Sequence, residues 1–139
     1  GPGLHTAKRH KITILPAETN TGIVFKKVAK RWGDVKSKIE IPAHWQNVKA
    51  LPLCTCLVSK DWQQIRTVEH LLAAFYACGI DNAIVEVEGS EIPVLDGSAK
   101  MFIDGIDATG IQLQDQSRII HQVTASTEFS EATIGCGAI

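Results

Sequence analysis

The chain has 139 residues, a formal net charge of −1, and 45% apolar against 21% charged residues. That is enough for one soluble domain with its own hydrophobic core. So even a balance excludes a global field that would draw it to nucleic acid, and no apolar run approaches the roughly 20 residues of a membrane-spanning helix.

Lys11 to Leu15 alternates around Ile12 and Ile14 and then meets Pro16, which predicts a strand. Asn20-Thr21-Gly22 is a turn signal, and Ile23 to Lys27 is predicted to follow as the partner strand. Residues 28–50 carry Trp32, Pro42 and Trp45 among charges, and read as loop plus one short strand near Ile39 to Ile41. Leu53 to Val58 predicts a compact buried strand, with Cys54 and Cys56 on one face. Neighbours at that spacing rarely bridge each other. The four cysteines form no secreted disulfide framework, so reduced thiols in a cytoplasmic protein are expected.

Thr67 to Cys78 predicts the main helix, with Thr67 as N-cap, Glu69 favourable to the helix dipole in the first turn, and Gly79 closing it. Val68, Leu71, Leu72, Phe75 and Tyr76 fall at helical spacing and predict one apolar stripe. At about 100° per residue His70 points nearly opposite that stripe, with Glu69 at its edge. Asn82 to Glu88 alternates, placing Ala83, Val85 and Val87 on one face. Gly89-Ser90 reads as a hairpin turn, with Glu91 to Leu95 returning. Asp96-Gly97-Ser98 then opens a second helix, Ala99 to Ile106. From Asp115 the character changes: Arg118 to Thr124 reads as a further strand, and Ser126 to Ile139 is small and polar. The order predicts an α+β domain, a small mostly antiparallel sheet layered against two helices.

The chemistry centres on Glu69-His70. An imidazole can ligate a metal, and a neighbouring carboxylate can take a proton from the metal's water. The plainer alternative is a surface helix whose glutamate serves the dipole. A catalytic zinc takes three protein ligands, and His5, His10, His44 and His121 stand at no familiar ligand spacing from His70. Cys54 and Cys56 read as core before metal or redox chemistry, and His5 as a surface turn residue. Asp96-Gly97-Ser98 reads as a turn with an N-cap. Lys8, Arg9, His10 and Lys11 read as a solvated strand end before a phosphate site.

Several segments in order resemble one family: Gly3-Leu4-His5-Thr6, Asn20 to Phe25, Leu53 to Val58, Thr67 to Leu71, Gly79 to Asn82 and Glu91 to Ala99. Together they resemble the N-terminal domain of UDP-3-O-acyl-N-acetylglucosamine deacetylase, a bacterial zinc amidase of lipid A biosynthesis. The resemblance implies one half of a two-domain fold, with residues 1–114 as the N-terminal deacetylase domain. Residues 115–139 become an atypical or truncated start of the second domain.

It further implies hydrolysis of the acetamide of a UDP-linked, acylated glucosamine. His70 falls on a zinc ligand, Glu69 on the general base, and Leu4, His5 and Cys54 on positions lining the substrate. Asp96, Gly97 and Ser98 match a structural signature. The remaining ligands, a histidine and an aspartate, belong to the family's second domain, so this chain is expected to be a fragment that holds zinc poorly. The face around Glu69 and His70 is then expected to be exposed and partly apolar, favouring self-association. The acylated substrate implies transient contact with a membrane surface. The alternative is a non-catalytic orphan domain acting as an interaction module.

Overall fold

The structure is a computed structural model describing residues 1–31, 34–120 and 122–126. Its strands are β1 (Lys11–Pro16), β2 (Ile23–Arg31), β3 (Asp34–Pro42), β4 (Val48–Leu51), β5 (Cys54–Val58), β6 (Gln64–Arg66) and β7 (Ala83–Glu88). Helix α1 (Glu69–Ala77) lies between β6 and β7, and α2 (Lys100–Thr109) follows β7. The expected α+β class is found, with the strands divided between two sheets: β1-β7-β2-β3 and β4-β5-β6.

The expected hairpin of the first two strands does not form. β7 sits between them, antiparallel to β1 and parallel to β2. The turn residues instead serve β7: Gly22 N–H donates to Asn82 Oδ1 at 2.9 Å, and Ala83 N–H donates to the Gly22 carbonyl at 3.1 Å. Asn20 and Gly22 both take left-handed φ, 64° and 69°. The loop thus steps over one strand position, about twice the 4.8 Å strand spacing.

Residues 28–50 are more ordered than the expected loop. β2 runs on to Arg31, β3 pairs back along it, and β4 adds an edge to the second sheet. Trp32 lies outside the described residues.

Glu91 to Leu95 is no return strand. Both edges of β7 are already taken, so the chain crosses after Gly89 to the end of β6. There Arg66 N–H donates to the Ser90 carbonyl and Ile92 N–H to the Arg66 carbonyl, each at 3.0 Å. Residues 118–120 and 122–124 form no strand either, while His121 lies outside the described residues.

The expected face of β7 is found, with Ala83, Val85 and Val87 buried. They join Phe25 of β2, Leu57 of β5, Leu71 and Phe75 of α1, and Phe102 and Ile106 of α2 in one cluster. Ala74 completes the buried stripe of α1, whereas Tyr76, expected within it, is 90% exposed. The helix ends as Gly79 predicts: at φ 69° its N–H meets the Tyr76 carbonyl, and Ile80 N–H reaches the Phe75 carbonyl. α2 runs one turn past the expected Ile106, to Thr109.

Candidate active site

Helix α1 starts where a strand edge runs out. β6 covers only Cys56 to Val58 of β5, leaving Thr55 without a ladder partner on that side. The helix start supplies the partners: Val68 N–H donates to the Thr55 carbonyl at 3.4 Å, and Thr55 N–H donates to Glu69 Oε2 at 3.1 Å. A backbone donor that would otherwise be orphaned therefore fixes the Glu69 carboxylate beside Cys54. Glu69 and His70 are both half-buried, off the stripe of Leu71, Ala74 and Phe75.

Thr67 does not cap the helix. It adopts φ 58°, and its hydroxyl donates to Glu91 Oε1 at 3.0 Å. Val68 bounds the helix instead, with no side-chain cap.

Glu91, which strand reasoning placed in a hairpin, is 0% exposed and organises the second half of the site. Its Oε1 also accepts from His5 N–H at 2.9 Å. Its Oε2 accepts from Thr6 N–H at 3.0 Å and the Thr6 hydroxyl at 2.6 Å. Burial pushes this carboxyl up, and the donors outweigh it. The Thr6 hydroxyl, His5 N–H, Thr67 hydroxyl and Thr6 N–H bring it down to about 2. Gly3 is required at this contact, because a Cβ there would run into Glu91 Oε2.

His10, read as part of a solvated basic cluster, is instead 6% exposed, with Nε2 2.7 Å from the Thr6 hydroxyl. That hydroxyl has one proton and gives it to Glu91, so His10 Nε2–H is the donor. Nδ1 then faces Gly89 without a partner.

The two carboxylates thus gather three of the predicted segments. Glu91 ties the Leu4-His5 turn to Thr67, and Glu69 ties the helix start to the strand of Cys54. Leu4 and His5 are exposed at this turn, and Cys54 is half-buried. Asp96-Gly97-Ser98 serves α2. Asp96 Oδ1 accepts from the Ser98 N–H and hydroxyl, and Ser98 Oγ accepts from Lys100 N–H at 3.1 Å. Gly97 takes φ 82°, and the Ser98 bonds hold the Asp96 carboxyl below its usual range.

A groove of about 2180 Å³ lies elsewhere, between β1 and α2, and none of the predicted site residues lines it. Cys54, Cys56 and Cys78 are free thiols. Burial pushes the Cys56 thiol up, Cys54 acting in the same sense, as expected of a buried core thiol. Among the described residues no three His, Cys, Asp or Glu side chains gather as a metal-binding group. His70 can be one ligand of a zinc ion, but these residues do not complete a catalytic set of three.

Glu91 had one signal in the sequence: a carboxylate just before Ile92-Pro93, where burial is expected. The donors from Thr6 and Thr67 carried no spacing pattern that could have linked them to it.

A family model described as UDP-3-O-acyl N-acetylglycosamine deacetylase matches residues 1–136. Relatives named UDP-3-O-acyl-N-acetylglucosamine deacetylase include one from Idiomarina loihiensis, 41% identical over 85% of this chain and 37% of its own length. One from Cellvibrio japonicus is 44% identical over 83% of this chain and 36% of its length. One from Actinobacillus pleuropneumoniae serotype 3 is 38% identical over 94% of this chain and 41% of its length. The chain therefore spans 36–41% of the length of these relatives.

Proposed function

This chain belongs to the UDP-3-O-acyl-N-acetylglucosamine deacetylase family, and from that premise we propose that it carries one half of a zinc-dependent deacetylase site. The substrate is a UDP-linked, acylated N-acetylglucosamine of lipid A biosynthesis, and the products are the free amine and acetate. Residues 1–114 form the domain that bears the half-site, and residues 115–139 are an atypical or truncated start of a second domain. His70 is one zinc ligand, and the others come from that second domain. Zinc supplies Lewis-acid polarisation of the acetyl carbonyl and a more acidic water.

Glu69 is the general base. The observation that carries this role is its fixed carboxylate: Thr55 N–H holds Oε2 of Glu69, the residue before His70 in the first turn of α1. The bond occupies part of the carboxylate and leaves acceptor capacity for a proton from the attacking water. Leu4, His5 and Cys54 line the substrate, and Asp96, Gly97 and Ser98 support the start of α2. Free Cys54, Cys56 and Cys78 favour a cytoplasmic setting. No helix among the described residues is long and apolar enough to cross a membrane, and contact with a membrane surface comes through the acyl chain of the substrate.

Metal titration of the purified chain tests this reading. Zinc is expected to bind substoichiometrically after dialysis. Cobalt(II), followed by NMR, is expected to broaden the His70 imidazole signals first, at millimolar concentration, and to lose that effect in His70→Ala. Broadening centred on another histidine would remove His70 as the ligand. About one tightly held zinc per chain, lost in His70→Ala, would show that the ligand set is complete without a second domain.

A further inference from the structure

A buried carboxylate is costly unless donors surround it, and apolar groups fill such a space as well or better. Glu91 has its donors, and they come from two places in the fold. His5 N–H, Thr6 N–H and the Thr6 hydroxyl belong to the N-terminal turn, whereas the Thr67 hydroxyl belongs to the segment entering α1. Each oxygen is shared: Oε1 takes His5 and Thr67, and Oε2 takes both Thr6 donors. His5 and Thr67 thus converge on a single atom, at 2.9 and 3.0 Å.

The carboxylate is itself held at both sides of its own backbone. Ser90 and Ile92 are bonded to Arg66, immediately before Thr67. Thr67 sits at φ 58°, a left-handed conformation that a β-branched residue adopts only under constraint. The hydroxyl bond to Glu91 supplies part of that constraint. Three residues after Thr67 stands His70, and two after it stands Glu69.

We propose that Glu91 is a positioning residue, whose buried carboxylate sets the Leu4-His5 turn in register with the helix start that carries Glu69 and His70. Its connection to catalysis rests on the deacetylase reading above. The geometric claim, that one oxygen locks His5 to Thr67, is tested without metal or substrate. The locking needs an anion: two consecutive backbone N–H groups and two hydroxyls all donate to Glu91, and a neutral amide would turn an NH2 group toward one pair of them. It also needs Gly3, which lets the turn close onto Oε2.

Amide hydrogen exchange and imidazole NMR on the intact chain decide the question, using Glu91→Gln, Thr67→Val and Thr67→Ser. Glu91→Gln is expected to speed exchange at His5 and Thr6 at least tenfold and to shift both the His5 and His70 imidazole signals. Amides of β2 and β7 are expected to keep their protection. Thr67→Val keeps the carboxylate and the shape but removes one donor. It is expected to disturb the His5 and Thr6 amides across Glu91, and Thr67→Ser is expected to restore them. If Glu91→Gln fails to fold, the Thr67 pair still decides. Loss of protection spread evenly over β2, β7 and α1 would make Glu91 a general stabiliser and overturn the proposal. Unchanged His5 and Thr6 signals in Thr67→Val would overturn it equally. Failure of cobalt to reach His70 would instead count against the deacetylase reading and leave these signals readable.

Discussion

Glu91 and Glu69 make a controlled comparison within one small domain. Both carboxylates accept from backbone N–H groups; Glu91 also accepts from the Thr67 hydroxyl, and Glu69 stands two residues after Thr67. Glu91 is wholly buried and accepts four hydrogen bonds. Glu69 is half-buried and, among the described residues, accepts one, from Thr55. A carboxylate with every acceptor position engaged holds shape; one with positions left over can take a proton. In the proposed site, a saturated floor (Glu91) and a rim with spare acceptor positions (Glu69) therefore differ in hydrogen bonding, not in residue type.

The largest effect that would sharpen this contrast is the response of the floor to acid. Glu91 is held at about 2 against an ordinary 4.5. Its folded value is depressed, so its contribution to stability is full above about pH 4.5 and is lost as pH falls toward 2. The lost contribution is about 3 kcal/mol. Urea unfolding across that window is expected to show the decline in the wild type and a flatter profile in Glu91→Gln. An unchanged slope in that variant would erase the distinction between the two carboxylates.

A smaller effect comes from the glycine beneath the floor. Gly3→Ala drives a methyl group against Glu91 Oε2 and Thr6 Oγ1, at an expected cost of roughly 1–3 kcal/mol by overpacking. Thermal unfolding measures it, and an unaltered midpoint would mean that the turn can slide off Glu91. The smallest effect belongs to the rim. Tyr76→Ser, at a position 90% exposed, is expected to change stability by less than about 0.5 kcal/mol. It is expected to reduce self-association in sedimentation at high protein concentration. A large loss of stability would place Tyr76 in the packing rather than on an unpartnered face.

Local pattern carried much of the fold. Alternation in Ala83-Val85-Val87, the Gly79 helix stop and the spacing of Leu71 and Phe75 all depend on near neighbours, and they were readable. Pairing was not. Asn20-Thr21-Gly22 signals a turn, but nothing local says that β7, some sixty residues on, will occupy the place beside it. Gly89-Ser90 misled for the same reason: the hairpin it suggests requires a free edge on β7, and both edges were spoken for. At the site, adjacency made Glu69-His70 conspicuous. Glu91 stayed hidden because its partners, Thr6 and Thr67, are remote in sequence and become donors only through the fold. The Thr67 hydroxyl suits capping as well as it suits Glu91, and the left-handed backbone that turns it toward Glu91 is a tertiary constraint.

The central place of β7 also governs the order in which the molecule can assemble. β1 and β2 are both made early in synthesis, yet neither finds its sheet neighbour β7 until residues 83–88 have arrived. Until then both edges of β1 and one edge of β2 lie open, and the loop between them is closed around nothing. Closure of the main sheet is consequently a late, non-local event, of the kind that slows folding and leaves unpaired strands available to other chains. The same strand that completes the core thus ends the interval in which a nascent chain is most exposed to aggregation.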